Sequence, residues 1–195
     1  MNIGVVLLAA GVGQRFGSDK RQAVLPNSKR MLDTTIANIS ASGLPLLVCV
    51  GVGDERLLAS LEERGIDGHL CPGSREGMGA TLADGVAAVD GWDGLIVALA
   101  DMPWIETATY RRVADMLEVD RICVPTCGGR DGHPVGFGRT FFSELCALRG
   151  NSGGRHVIQR HAGFVSRLPV TDPAIAWDVD VPGDISRLAI ENGRR

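Results

Sequence analysis

The chain has 195 residues, 45% of them hydrophobic and 22% charged, and a formal net charge of −3. That is an ordinary globular composition, long enough to bury one sizeable core. The absence of a basic block disfavours binding to a nucleic-acid backbone, and no apolar run reaches the roughly 20 residues that a membrane-spanning helix needs.

The first predicted element is the apolar run Ile3 to Leu8, read as a buried strand. No basic segment precedes it, which argues against a secretory leader. It leads straight into Ala9-Ala10-Gly11-Val12-Gly13-Gln14-Arg15-Phe16-Gly17-Ser18-Asp19-Lys20. A strand that ends in a small-residue loop exposes backbone N–H groups, which suits phosphate. Arg15 and Lys20 stand where they could neutralise its charge. The competing reading of the same stretch is a glycine-rich turn with two solvated cations.

Helix-period and strand-like segments then alternate. Met31, Leu32, Thr35, Ile36 and Ile39 recur at helical spacing, with Gly43 as the stop. Leu46 to Val50 is a buried strand. Leu57, Leu58 and Leu61 mark a helix ending at Gly65, and His69 to Cys71 is a short strand. Met78 to Val89 reads as a helix, Leu95 to Ala100 as a strand, Thr107 to Leu117 as a helix and Arg121 to Pro125 as a strand. Beyond Thr126 a strand over Gly132–Phe137 is followed by helices over Phe141–Leu148 and Gly154–His161. Strands at Phe164–Val170 and Ala176–Val181 and a helix opened by Pro182 complete the chain. This rhythm predicts an α/β fold: a three-layer α/β/α sandwich around a mostly parallel mixed sheet. No repeat or linker divides it, so residues 1–195 are expected to form a single domain. The five cysteines are odd in number and unpatterned, and are read as thiols of a reducing, cytoplasmic compartment.

In open α/β sheets ligands gather at the carboxyl ends of the strands. Three loaded segments fall there: the glycine loop, Asp101 after the strand ending at Ala100, and Trp177-Asp178-Val179-Asp180. Alternation in an extended segment would point Asp178 and Asp180 one way and Trp177, Val179 and Val181 the other. With Asp101 they make an oxygen-rich set suited to Mg²⁺, which takes few carboxylates and completes its shell with water and phosphate. Singly, Asp101 could serve an Asx turn and Asp180 a helix start; Asp184 is assigned to helix capping. A further glycine-rich connection, Cys71 to Thr81, places backbone N–H groups at a helix N-terminus, where they could meet base, ribose or phosphate.

Leu8-Ala9-Ala10-Gly11-x-Gly13-x-Arg15-Phe16-Gly17-x-x-Lys20 resembles the signature loop of nucleotidyltransferases with a Rossmann-like, glycosyltransferase-A-like fold. The whole length resembles their MobA-like molybdenum cofactor cytidylyltransferase branch. Further matches are Gly77-Met78-x-x-Thr81-Leu82-x-x-Gly85, Ala100-Asp101-Met102-Pro103, Gly132-His133-Pro134, Gly150-Asn151-x-Gly153-x-Arg155 and Asp178-x-Asp180-x-Pro182-x-Asp184-Ile185. Several features depart from the family's pattern: Ala100 replaces a usual Gly, Thr81 a common Ser and Asn151 an Asp, Met31 occupies an often small or aliphatic position, and the segment from Arg21 to Leu25-Pro26 is longer than in close relatives.

The resemblance implies roles. Leu8, Ala9, Ala10, Gly11, Gly13, Arg15, Lys20, Gly77, Met78 and Thr81 would bind the nucleotide; Arg15, Lys20 and Asp101 would be catalytic. Asp101, Asp178 and Asp180 would hold Mg²⁺ or Mn²⁺, and His133, Asn151 and Arg155 would line the acceptor side. Residues 1–105 would form the nucleotide half and 106–195 the acceptor half. Ala-Ala-Gly in the loop goes with cytidine and Ala-Gly-Gly with guanosine, so CTP is the expected substrate. The implied reaction transfers CMP to a molybdopterin-type acceptor with release of pyrophosphate, and the implied partner is a client molybdoenzyme. Guanylyl or other nucleotidyl transfer to another small phosphorylated acceptor is the enzymatic alternative; a non-catalytic cofactor-delivery protein is the other.

Overall fold

A computed structural model describes every residue except Val12, Gln14, Arg15, Arg194 and Arg195. Its strands are β1 (Ile3–Leu8), β2 (Leu46–Gly51), β3 (Asp67–Cys71), β4 (Gly94–Leu99), β5 (Ile122–Cys127), β6 (Arg130–Asp131), β7 (Val135–Gly138) and β8 (Val165–Pro169). The helices are α1 (Met31–Ser40), α2 (Glu55–Glu63), α3 (Met78–Ala88), α4 (Thr107–Met116), α5 (Phe142–Cys146), α6 (Arg155–Arg160) and α7 (Pro182–Asn192).

All eight strands join one sheet. Four of them run parallel in the order β3-β2-β1-β4. β7 then lies antiparallel to β4 and to β5, and β8 runs parallel to β5. Ile122 pairs with Phe137 of β7 and Val165 of β8, and Thr126 with Asp131 of β6 and Pro169 of β8. β6 and β7 are therefore two pieces of one broken strand along the same edge of β5.

The central strands read as unbroken apolar runs because both faces are covered. Val5 and Leu7 face a cluster with Leu32, Ile36 and Ile39 of α1, Leu61 of α2 and Tyr110 and Val113 of α4. Val6 and Leu8 face the other side, with Leu82 and Val86 of α3, Leu145 of α5 and Val157 of α6. Each such side chain contributes about 1.5–3 kcal/mol on full burial. This is the three-layer sandwich expected. A smaller cluster of Leu25, Met31, Val179 and Leu188 docks α7 against the start of α1. Among the described residues no helix is long and apolar enough to cross a membrane.

One expected strand is absent. Ala176–Val181 is not a strand; a 3-10 turn over Pro173–Ala176 runs into an extended segment without a ladder. Val179 is fully buried and its N–H donates to the Asp101 carbonyl at 3.0 Å. Val181 is exposed, so the expected two-sided alternation stops there.

Candidate active site

The carboxyl ends of β1 and β4 open onto a cavity of about 310 Å³. Leu8, Ala9, Ala10, Gly11, Gly13, Lys20, Gly77, Met78, Thr81 and Asp101 all line it. Together with Asp101, expected to be catalytic and to hold metal, these are the expected nucleotide residues except Arg15, which lies outside the described residues. The loop is tied down at its root: Ala9 N–H donates to the Cys49 carbonyl at 2.8 Å and Ala100 N–H to the Leu8 carbonyl at 3.1 Å. Gly13 has φ +69°, and a Cβ there would press on the Lys20 stem at 3.0 Å. Its lack of a side chain lets Lys20 lie across the loop.

Lys20 begins a single 3-10 turn whose N-cap is Asp19. Its ammonium meets Asp101 Oδ2 at 2.5 Å and the Val179 carbonyl at 3.2 Å. Three distant stretches of chain converge in that contact. Asp101 is held by its neighbours: Thr35 Oγ1 donates to the Ala100 carbonyl at 3.2 Å. Its other oxygen, Oδ1, is buried without a hydrogen-bond partner among the described residues. Such an atom marks a place for a cation or donor.

Arg21 was not anticipated from the sequence. It is 3% exposed and lines the same cavity. It donates to the Ala9 carbonyl at 2.7 Å, to both oxygens of Asp54 at 2.5 and 2.8 Å and to both of Asp19 at 2.8 and 2.9 Å. Burial works against its charge, but the hydrogen bonds to Asp54 and Asp19 outweigh that and leave its pKa above the usual guanidinium value. Asp54 also accepts from Gly51 N–H at 3.0 Å, so Arg21 braces the glycine loop against the end of β2. The only signal in the sequence is a second cation next to Lys20.

The N-terminus of α3 differs from expectation. Gly79 and Ala80 N–H both donate to the Gly150 carbonyl, at 2.8 and 3.4 Å. Those two donors are taken by the chain itself rather than left for a nucleotide. Gly77 has φ +132°, and a Cβ there would collide with Asn151 Oδ1. This close approach seats the 150–154 segment on the helix.

A second, larger cavity of about 860 Å³ adjoins the first, sharing Leu8, Met78, Leu99 and Asn151 with it. His133, Asn151 and Arg155 all line it, as does Arg167, which forms a two-bond ion pair with Asp131 at 3.0 and 3.1 Å. Burial holds the His133 pKa below the ordinary imidazole value, against a hydrogen bond to the Val97 carbonyl and the carboxylates of Asp101 and Asp178. Asp178 and Asp180 are both exposed, and neither lines either cavity. Asp184 accepts from the N–H groups of Asp180 and Val181, both at 3.0 Å, as a helix cap should. Among the described residues no three His, Cys, Asp or Glu side chains are grouped closely enough to hold a metal ion.

Residues 5–164 match the MobA-like NTP transferase domain. The structure of Rv0371c from Mycobacterium tuberculosis H37Rv superposes with a TM-score of 0.83 at 30% identity, over 96% of this chain and 97% of that one. The same protein has been solved as a complex with manganese, at TM-score 0.78, 27% identity and coverage of 96% and 98%. The phosphoenolpyruvate guanylyltransferase of Sphaerobacter thermophilus is 26% identical over 90% of this chain and 83% of its own length. The bifunctional protein GlmU of Agrobacterium fabrum is 29% identical over 74% of this chain, which spans about one third (33%) of that protein's length.

Proposed function

The chain belongs to the MobA-like NTP transferase family and is a nucleotidyltransferase, and from that premise we propose that it transfers CMP from CTP to the phosphate of a molybdopterin-type acceptor. The observation that carries the reading is the meeting of Lys20 and Asp101 at 2.5 Å in a cavity walled by the glycine loop. A pure binding protein has no need of a carboxylate paired with the phosphate-loop cation.

The nucleotide occupies the smaller cavity, its triphosphate against the loop N–H groups and Lys20. Lys20 exchanges its Asp101 partner for phosphate oxygens and stabilises the charge that grows on the leaving pyrophosphate. The acceptor lies in the larger cavity, with Arg155 suited to an anionic group. An acceptor phosphate oxygen attacks the α-phosphorus, the bond to the β-phosphate bridging oxygen breaks, and pyrophosphate departs. No covalent enzyme intermediate is required, so the protein's contribution is alignment and electrostatics. Asn151, on the wall shared by both cavities, stands where the two substrates meet.

The donor set fits Mg²⁺ or Mn²⁺. Asp101, with its unpartnered Oδ1, and the nearby Asp178 would hold it, and phosphate and water would complete the shell, as suits a hard cation with few protein ligands. Bound there, it would neutralise phosphate charge. CTP is favoured by the Ala9-Ala10-Gly11 sequence. A Cβ built on Gly51 would lie 3.5 Å from that of Ala10, so the Ala10 methyl stands close against the end of β2.

The test is pyrophosphate release from a panel of CTP, GTP, UTP and ATP with Mg²⁺ or Mn²⁺, with and without molybdopterin. CTP- and molybdopterin-dependent release is expected. Release with GTP alone among the four overturns the base assignment, and release that ignores molybdopterin overturns the acceptor.

A further inference from the structure

The stretch from Ala100 to Glu106, between β4 and α4, has neither ladder nor helix, yet Ala100, Met102, Pro103 and Ile105 are buried. Buried backbone carbonyls need donors, and a segment without regular structure must draw them from elsewhere. Here three of them are served by one helix, α1. Thr35 Oγ1 donates to the Ala100 carbonyl at 3.2 Å, sharing its proton with the Met31 carbonyl at 3.1 Å. Asn38 Nδ2 donates to the Pro103 carbonyl at 2.9 Å and to the Ile105 carbonyl at 3.2 Å. Both partners are acceptors, which fixes the carboxamide nitrogen as the atom that faces them. In return Thr107 Oγ1 donates to the Asn38 carbonyl at 2.9 Å. Thr35 and Asn38 are three residues apart and so share a face of α1. Asp101 sits between the carbonyls they hold.

The N-terminal end of the same helix holds the other partner of the site. Met31 N–H donates to the Ala23 carbonyl at 2.9 Å, and Ala23 N–H to the Lys20 carbonyl at 3.1 Å. The Lys20 turn and the Asp101 segment therefore hang from one rod, at points about 10 Å apart along its axis. Their side chains meet at 2.5 Å, and Asp101 Oδ1 is left buried and unpartnered among the described residues. A carboxylate with such a task must be held to within a fraction of an ångström by groups that are themselves fixed. Neither Thr35 nor Asn38 lines a cavity.

Resting on the reading that Asp101 holds the metal, we propose that Asn38 and Thr35 are positioning residues. They set where the Asp101 carboxylate stands against Lys20, and so tune metal affinity and turnover without touching either substrate.

Asn38→Leu is close to isosteric and removes both donors; Thr35→Val removes one donor and Thr35→Ser keeps it. Asp33→Ala, on the same helix, breaks only the surface pair with Arg64 at 2.8 Å and serves as the control. The first readout is Mn²⁺ binding to the nucleotide-free protein, followed by electron paramagnetic resonance. Asn38→Leu is expected to weaken it about tenfold, with Thr35→Val moving the same way. The kcat of Asn38→Leu for pyrophosphate release should also fall about tenfold, with the KM for CTP within about twofold of wild type. Thr35→Ser and Asp33→Ala should match wild type in both readouts. A lower Tm in Asn38→Leu with wild-type Mn²⁺ affinity and kcat overturns the proposal and leaves the two side chains as struts. If Asn38→Leu does not fold, Thr35→Val against Thr35→Ser decides, and equal Mn²⁺ affinities overturn it. If no triphosphate yields pyrophosphate, the proposed reaction falls and the Mn²⁺ comparison still decides the inference. If the wild type binds no Mn²⁺, the metal reading falls, and crystal structures of the variants decide the inference alone. Asp101 displaced from Lys20 supports it; an unchanged contact overturns it.

Discussion

Replacing Arg21 by Met removes a buried cation that serves three groups at once. Five hydrogen bonds of 2.5–2.9 Å disappear, and the carboxylates of Asp19 and Asp54 and the Ala9 carbonyl lose the guanidinium. Stranding a buried charge by deleting its partner costs about 3–5 kcal/mol. Here the stranded side chains are not fully buried: Asp54 is 16% and Asp19 32% exposed, so water recovers part of the loss. The expected destabilisation is therefore about 2–3 kcal/mol. For a domain of this size that corresponds to a fall in Tm of roughly 4–12 °C. Arg21→Lys keeps the charge but not the planar fork, and is expected to fall between wild type and Arg21→Met. Because Ala9 loses its brace, the KM for CTP should rise in parallel. Thermal unfolding followed by circular dichroism, with pyrophosphate release on the same samples, measures both. Unchanged Tm and unchanged KM in Arg21→Met would refute the brace.

Lys20→Ala should lower kcat about 10²-fold or more while Tm moves little, checked by pyrophosphate release and thermal unfolding; near-normal turnover would remove Lys20 from the phosphate site. Gly77→Ala combines a φ of +132° with a collision against Asn151, whereas Gly91→Ala has a φ of +69° and open space around its Cβ. Gly77→Ala should therefore cost clearly more than the roughly 1 kcal/mol of left-handed strain expected at Gly91, read by urea unfolding. Asp184→Ala should cost about 1 kcal/mol as a lost helix cap. The hydrogen bond from Arg187 and the N–H of Val181 hold the Asp184 pKa below its ordinary 3.8. Its stabilisation is present above that value and lost as pH falls through the lower folded value, so the gap between wild type and variant should close in acid unfolding.

The parallel core was legible because β1, β2 and β4 are buried on both faces and written as unbroken apolar runs. The same logic failed at Ala176–Val181. There Asp and Val alternate as in a strand, but Val179 is buried by α7 and by its bond to Asp101 rather than by a ladder. The brace at Arg21 was illegible because Asp54 lies 33 residues away, and charge pairing at that range leaves no periodic trace. The occupied N-terminus of α3 was hidden in the same way, since its partner Gly150 comes from a segment read only as an acceptor motif. The glycine loop, Lys20 and Asp101 were legible as motifs, and the structure adds the contact between Lys20 and Asp101.

The Gly150 carbonyl that caps α3 ties the 150–154 segment to that helix through two backbone bonds. Asn151, the next residue, forms part of both cavity walls. A ligand that shifts this segment in one cavity necessarily alters the wall of the other. On the proposed reading such a shift would link the affinities at the two cavities, and the linkage would be reciprocal: whatever factor the nucleotide imposed on acceptor binding, the acceptor would impose on the nucleotide. The two proposed substrates would then be coupled before any bond between them forms.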